Sequence, residues 1–291
     1  MKIPLALFIY NRPKVLARTM VKIRETRPTR LYVFADGPKS GDAGDQRKCD
    51  EARGLLGHVD WPCEVIRVYN DENYGLRIQI EEKLSFLFAR EEAAVILEDD
   101  CLPENDFFRF CEDGLHAYEK SPQLMAITGN QYLAAQPNPF LSRFPHCWGW
   151  ATWRRAWQAY DGNISGWPEF KRSSHWQSEY LPEEKRYWEP LLDRVHQGEL
   201  NSWAYRWLAT IWMHEGLVLT PPGNLVSNIG FGEDGTHCRA PTPLAEFPTR
   251  PLSSWSLPRH LQRDKRLDRK TFFKVFYNQK LSILKRWKYG I

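Results

Sequence analysis

AAVILEDDCLP, residues 93–103, runs five apolar positions straight into Glu98, Asp99 and Asp100 and on to Pro103. The run does not alternate, so it predicts a strand buried on both faces. A strand of that kind belongs inside a parallel sheet with helices on either side, and the flanking sequence agrees. Before it lies an amphipathic helix over 76–90, with Ile80, Leu84, Leu87 and Phe88 on one face. Further back come strands over 64–70 (EVIRVYN), 31–36 (LYVFAD) and 3–10 (IPLALFIY). A short helix to about residue 57 follows the polar loop 41–45, and a helix over 13–26 is opened by Pro13, whose missing N–H costs nothing in a first turn. Beyond the acids come a helix over 105–119 with Phe107, Phe108, Phe110, Cys111 and Leu115 on its apolar face, and a strand over 124–128. Strands separated by helical segments predict an α/β fold with a mostly parallel sheet flanked by helices.

In such a sheet, ligands bind in the crevice beyond the carboxyl ends of the strands. The three acids sit there. Three adjacent carboxylates repel one another unless a cation or hydrogen bonds compensate. Hard oxygen ligands of this kind suit Mg²⁺ or Mn²⁺ shared with substrate phosphates. The plain alternative is an acidic turn that favours the dipole of the next helix. The other strand ends favour the ligand reading. Strand one ends in Tyr10, Asn11 and Arg12, strand two in Asp36, and strand three in Asn70 and Asp71, followed by Asn73 and Arg77. Together they offer donors, acceptors and a cation for a base, a ribose and a pyrophosphate. No GxGxxG or GxxxxGK[ST] occurs at these turns, which argues against a dinucleotide enzyme or a P-loop ATPase.

The texture changes near Phe144. Ten of the 13 Trp fall between 148 and 212, and helices are predicted at 153–160, 183–197 and 202–214, the last capped by Ser202. The pairs Trp153/Trp157 and Trp203/Trp207 stand at helical spacing, so much of this segment reads as packing. Trp148 and Trp150, which flank Gly149, are the acceptor-site candidates, because aromatic faces stack on sugar C–H surfaces. Residues 217–237 read as strand, turn, strand and a glycine-rich loop. That loop is expected to close over donor phosphates, with His237 reaching the diphosphate or metal. A Pro-rich linker (241–257) and a basic helix (258–291) complete the chain, with eleven Lys/Arg against two Asp in the latter. The rest of the chain is therefore net acidic although the whole carries +4. The basic helix suits an anionic membrane surface, docking on the acidic body, or an oligomer contact. No stacking platform accompanies a basic groove, so nucleic acid is a poor partner. The six Cys show no metal-ligand spacing, and the N-terminal apolar run is too brief for a signal peptide. Reduced thiols in the cytoplasm, with peripheral contact at the inner face of the membrane, are expected.

FIYNRP, FADGPK, NDENYGL and a hydrophobic strand ending in EDD, in that order, resemble the metal-dependent glycosyltransferases of the GT-A fold. EDDCLPENDFFRFCEDGL and RFPHCWGWATWRRAW look like segments of the N-acetylglucosaminyltransferase that opens complex N-glycan synthesis, and the chain is also similar to bacterial family-2 sugar transferases. The likeness covers roughly residues 3–240: a nucleotide-sugar half over 1–130, then an acceptor half and lid over 131–240. It implies a Rossmann-like GT-A domain moving a sugar, with inversion, from a nucleoside-diphosphate donor such as a UDP-sugar to a glycan or lipid-linked acceptor in surface polysaccharide synthesis. Asp100 would then be the direct metal ligand. Asp99 would hold the ribose or metal waters, and Glu98 the donor sugar. Asp36, Asn11 and Arg12 would line the base pocket, and Asn73 and Arg77 would face the donor. The resembled enzymes open the helix after the aromatic segment with an acidic base, but NSWAYRW (201–207) places Ala204 there. Glu199 or Asp161, or Glu233 or Asp234 from the glycine-rich loop, would serve instead, or the chain is inactive. A sugar nucleotidyltransferase and a nucleotide-sugar or glycan-binding pseudoenzyme are the alternatives.

Overall fold

The computed structural model describes residues 1–231, 244 and 247–277. β1 (Leu5–Ile9) leads into α1 (Pro13–Thr26), whose first helical bond runs from Leu16 N–H to Arg12 O at 2.9 Å. β2 (Arg30–Ala35) is followed by α2 (Ala43–Leu55), which starts inside the expected polar loop because the Asp42 carboxylate accepts from Gly44 and Asp45 N–H. A single 3₁₀ turn, Leu56–His58, ends it. Then come β3 (Glu64–Tyr69), α3 (Leu76–Phe88), β4 (Ala93–Glu98), β5 (Cys101–Pro103), α4 (Asn105–Ala117) and β6 (Leu124–Thr128). β7 (Phe140–Ser142), β8 (Trp150–Trp153) and the short helices α5 (Arg154–Trp157), α6 (Trp167–Phe170) and α7 (Ser174–Glu179) follow. α8 (Pro182–His196) and α9 (Trp203–Met213), β9 (Leu217–Thr220), β10 (Val226–Asn228) and α10 (Lys265–Thr271) complete the order, α10 running on as one π-helical stretch, Phe272–Phe276.

Eight strands form one sheet in the order β3-β2-β1-β4-β8-β6-β9-β7. β3, β2, β1 and β4 are parallel, as are β6 and β9; β8 and β7 run antiparallel to their neighbours. This is the mostly parallel, helix-flanked α/β sheet that the apolar run 93–97 predicts. The register sets Phe8 beside Glu98 and Ile9 beside Ala35, so the ends of β1, β2 and β4 open on one edge. Period-2 alternation sends Ala6 and Phe8 into one core and Leu5, Leu7 and Ile9 into the other. The first core also takes Trp150, Trp157, Trp167, Trp176, Trp188, Trp203, Trp207 and Trp212; the second packs under α1, α2 and α4.

Two expectations need correction. The helix expected over 153–160 is only Arg154–Trp157, because Trp153 ends β8 with extended backbone. Trp153 and Trp157 therefore belong to opposite cores and do not share a helix face. Both strands expected after residue 217 are present: β9 joins the large sheet, and β10 pairs antiparallel with β5 in a separate two-stranded ladder. The C-terminal helix starts at Lys265, where Asp264 caps it through Arg266 and Leu267 N–H, and not at 258. Its apolar side faces the body, with Phe272 and Phe273 fully buried. The Pro-rich stretch is also docked where it is described: Trp255 meets Phe110 edge-on at 6.0 Å, and the Tyr118 hydroxyl donates to Pro258 O at 2.6 Å. Among the described residues no helix is long and apolar enough to cross a membrane.

Candidate functional site

The acids are delivered by β4 and pinned from the helix side. The Thr19 hydroxyl, fully buried on α1, donates to Asp99 O at 2.8 Å, with Cys101 O at 3.2 Å. From the other side, Ile229 N–H donates to Asp100 O at 2.9 Å, at the end of the β5–β10 ladder. Asp99 is 1% exposed and Asp100 8%. Bare carboxylates so placed would be costly. Arg12 compensates them: its Nη2 lies 2.5 Å from Asp99 Oδ1 and its Nη1 2.8 Å from Asp100 Oδ2. Tyr10 N–H reaches Asp99 Oδ2 at 3.2 Å. Burial and the Asp100 charge still outweigh Arg12 at Asp99, whose carboxyl rises to about 6. At Glu98, burial plus Asp100 and Asp99 raise the carboxyl to about 8. Arg12 itself is pushed up despite burial, by Asp99, Asp100 and Glu98.

A second carboxylate, Asp45, organises the same edge. It accepts from the Tyr10 hydroxyl at 2.5 Å, Asn11 Nδ2 at 2.5 Å and Lys39 N–H at 2.7 Å. Burial would raise it, but these bonds, Tyr10's first, outweigh burial and hold it below its ordinary value. Asp45 escaped the sequence reading, since its partners Tyr10 and Asn11 lie 35 and 34 positions away. The usable signal was an acid in the first turn of a helix that begins with Asp42.

Asp36 is placed differently. Its carboxylate accepts from Gly37, Tyr74 and Gly75 N–H and from Gln79 Nε2, all at 2.9–3.0 Å. Asn73 Nδ2 returns a bond to Gly37 O at 3.0 Å. A Cβ on Gly37 would fall 2.4 Å from the Glu72 carbonyl, so the two loops touch backbone to backbone. Asp36 and Asn73 thus latch the end of β2 to the turn that starts α3. Arg77 pairs along α3 with Glu81 at 2.8 Å, and Glu81 also accepts from the Tyr160 hydroxyl at 2.7 Å.

On the aromatic side, Trp148 is half-buried and meets Phe231 edge-on at 5.5 Å and Tyr132 at 6.3 Å. Phe231 follows Gly230, which lies against Asp100, so Trp148 stands beside the acid cluster. Trp150 is 2% exposed and stacked on Trp203 at 5.6 Å; it is core. Gly149 has φ +73 and its carbonyl accepts from Gly129 N–H at 2.8 Å. Of the base candidates, Asp161 accepts from Asn163 and Ser165 N–H as a loop cap, and Glu199 is exposed beside Arg194 at 3.4 Å. Ala204 lies in the first turn of α9, packed on the aromatic core. Glu233, Asp234 and His237 lie outside the described residues.

Asp100 can serve a divalent ion. Its Oδ2 is engaged by Arg12, while among the described residues Oδ1 meets a weak thiol donor, Cys101 Sγ at 3.8 Å. Among the described residues no group of three or more His, Cys, Asp or Glu is arranged to hold a metal. The carboxylates of Asp99 and Asp100 are hard oxygen donors, which Mg²⁺ and Mn²⁺ take together with phosphates and water.

No family model matches the chain, and no curated protein sequence matches it. Solved structures overlap it in part. Mannosyltransferase PcManGT of Pyrobaculum calidifontis, in complex with GDP-Man and Mn²⁺, is 14% identical over 52% of this chain and 44% of its own, with a TM-score of 0.36. The match thus spans less than half of that protein. HddC of Yersinia pseudotuberculosis, complexed with GMP-PN, is 10% identical over 52% of this chain and 77% of its own, at 0.34. A UDP-glucose pyrophosphorylase complexed with UDP-glucose is 9% identical over 54% and 78%, at 0.32. At such scores the overlaps leave the reading of the site to its own residues.

Proposed function

We propose that the chain is a metal-dependent glycosyltransferase of the GT-A kind. It would transfer a sugar from a nucleoside-diphosphate donor, a UDP-sugar in the first instance, to a glycan or lipid-linked acceptor in surface polysaccharide synthesis. One observation carries this: Tyr10, Asn11 and Arg12 from β1, Asp45 from α2, and Asp99 and Asp100 after β4 meet at the carboxyl edge of the parallel sheet, joined by hydrogen bonds. That edge is where such sheets take ligands. Asp100, with Asp99 behind it, would hold Mn²⁺ or Mg²⁺. The ion, when bound, offsets negative charge building on a departing diphosphate. The chain's own part is to fix the donor: Arg12 is the cation nearest the phosphates, the Tyr10–Asn11–Asp45 group borders the base and ribose, and Trp148 offers an aromatic edge to the acceptor. An acceptor hydroxyl needs a base, which we assign to the glycine-rich loop, at Asp234.

Sugar nucleotidyl transfer is the second reading. Asp161 is spent on its own loop and Ala204 is not acidic; a phosphate, unlike a hydroxyl, attacks without a base. Turnover separates the two: a glycosyltransferase releases a nucleoside diphosphate, a nucleotidyltransferase releases pyrophosphate from a triphosphate, and a binding protein releases neither. The first test is thermal shift with a panel of nucleoside diphosphates and nucleotide sugars, with and without Mn²⁺, on wild type and Asp100→Ala. Stabilisation by one nucleotide that needs Mn²⁺ and vanishes in the variant is expected; no response to any nucleotide would end the donor-site reading. Peripheral contact with anionic membrane would use the basic segment, and equal vesicle flotation after Lys280, Lys285, Arg286 and Lys288 are replaced by Gln would remove it.

A further inference from the structure

We infer that Arg12 is the resident cation of the acid cluster and that a divalent ion held jointly by Asp99 Oδ1 and Asp100 Oδ2 binds there by displacing its guanidinium from both. The inference rests on reading the cluster as the donor site. A loosely held surface arginine would yield to an ion at little cost, but Arg12 is enclosed. Its two terminal nitrogens bridge Asp99 and Asp100 at 2.5 and 2.8 Å, and its side chain is 13% exposed. Its backbone is fixed, since it precedes Pro13 and its carbonyl accepts the first bond of α1. Only the side chain can leave.

Gly230 roofs the pair. A Cβ there would fall 2.2 Å from Asp100 Oδ2 and 2.6 Å from Arg12 Nη1, so the backbone lies directly on both groups. Ile229 N–H to Asp100 O, and Gly230 N–H to Asn228 Oδ1, each at 2.9 Å, hold that stretch down. Asp100 Oδ2 is therefore covered by the guanidinium on one side and by backbone on another. The guanidinium, in turn, is not fully satisfied: Arg12 Nε is buried with no hydrogen-bond partner among the described residues. A buried donor left unpaired is destabilising. The closed pose is thus one in which Arg12 neutralises the acids yet keeps one N–H unused. An entering ion takes over the neutralisation of Asp99 and Asp100, and the freed guanidinium can present Nε to a phosphate oxygen. Linkage makes the two reciprocal: what Arg12 contributes to the metal-free cluster is subtracted from the affinity for the ion.

The sign of this effect is opposite to that of a residue that helps bind metal, and it is read without turnover. Mn²⁺ binding, followed by the electron paramagnetic resonance signal of the free aqua ion with no nucleotide present, is compared in wild type, Arg12→Gln and Arg12→Lys. Arg12→Gln is expected to bind Mn²⁺ about tenfold tighter or more, with Arg12→Lys between. Metal-free Arg12→Gln should melt below wild type, and saturating Mn²⁺ should close the gap. Equal or weaker Mn²⁺ affinity in Arg12→Gln, or no binding by any of the three, overturns the inference. If Arg12→Gln proves unfolded by circular dichroism, Arg12→Lys carries the comparison with the same sign. UDP binding, measured by calorimetry on wild type, keeps the failures apart. UDP bound, with Mn²⁺ affinity unchanged by the substitution, removes the displacement and leaves the donor site. Tighter Mn²⁺ binding with no UDP bound keeps the displacement and removes UDP as the donor nucleotide.

Discussion

Asp36 accepts three backbone N–H groups and one side-chain amide, and it is 6% exposed, so removing its carboxylate leaves those donors without an acceptor. Asp36→Ala is expected to lower unfolding free energy by about 2–4 kcal/mol in urea; a loss below ~1 kcal/mol would show that the latch is idle. His146 gives the pH prediction. It stacks between Phe144 and Phe276, and burial holds its imidazole down to about 4 from an ordinary 6.5. Between those values the unfolded chain takes up a proton that the native chain refuses. Stability from this residue is therefore present above about 6.5 and is lost as pH falls toward 4. Because the ring keeps some surface, the loss should be about 1–2 kcal/mol, and His146→Phe should abolish that part of the acid dependence. At this scale the sequence was half legible. A carboxylate at a strand end is visible in LYVFAD, but its occupation by four donors is not, because the donors come from another loop. Asp45 was hidden for the same reason.

At the scale of elements, the crossing of residues 129 and 149 shapes the aromatic rim. Gly149 has φ +73, and a Cβ there would meet Val226 Cγ2 at 2.7 Å. Gly149→Ala combines left-handed backbone strain with overpacking, and chemical denaturation should register about 2–4 kcal/mol. Little or no change would mean that β10 can step aside. The long strands and helices were legible because their periodicity is local. β5 and β7 were not, having three residues each, too few to show a period. Trp153 misled because i, i+4 spacing also arises where a strand hands over to a helix. Thr152, whose hydroxyl donates to Met125 O at 2.6 Å, keeps that junction extended.

At the scale of the molecule, the C-terminal segment is part of the body. Leu267, Phe272 and Phe273 are at most 3% exposed, and Asp268 accepts from the Ser142 hydroxyl at 2.6 Å. Each such side chain contributes roughly 1.5–3 kcal/mol by burial. A chain ending at 263 should therefore melt at least 10 °C lower or precipitate, and an unchanged melting temperature would mean that this docking is dispensable. The basic composition left a membrane surface, docking on the body and an oligomer contact open, since sequence cannot say whether an apolar side meets lipid or protein. Nor could it show that the segment before the helix packs flat, with Trp255 against Phe110.

The ladder between β5 and β10 has a consequence in time. Arg12 and the acids leave the ribosome early, but Asn228, Ile229 and Gly230 come more than a hundred residues later. Until they emerge, Asp100 has no backbone roof and its carbonyl no partner. A nascent chain that holds Asp100 but not yet Gly230 thus lacks the backbone that covers the acid cluster. The cluster closes only once β10 has been made, as expected when the contact that completes it spans a long stretch of sequence.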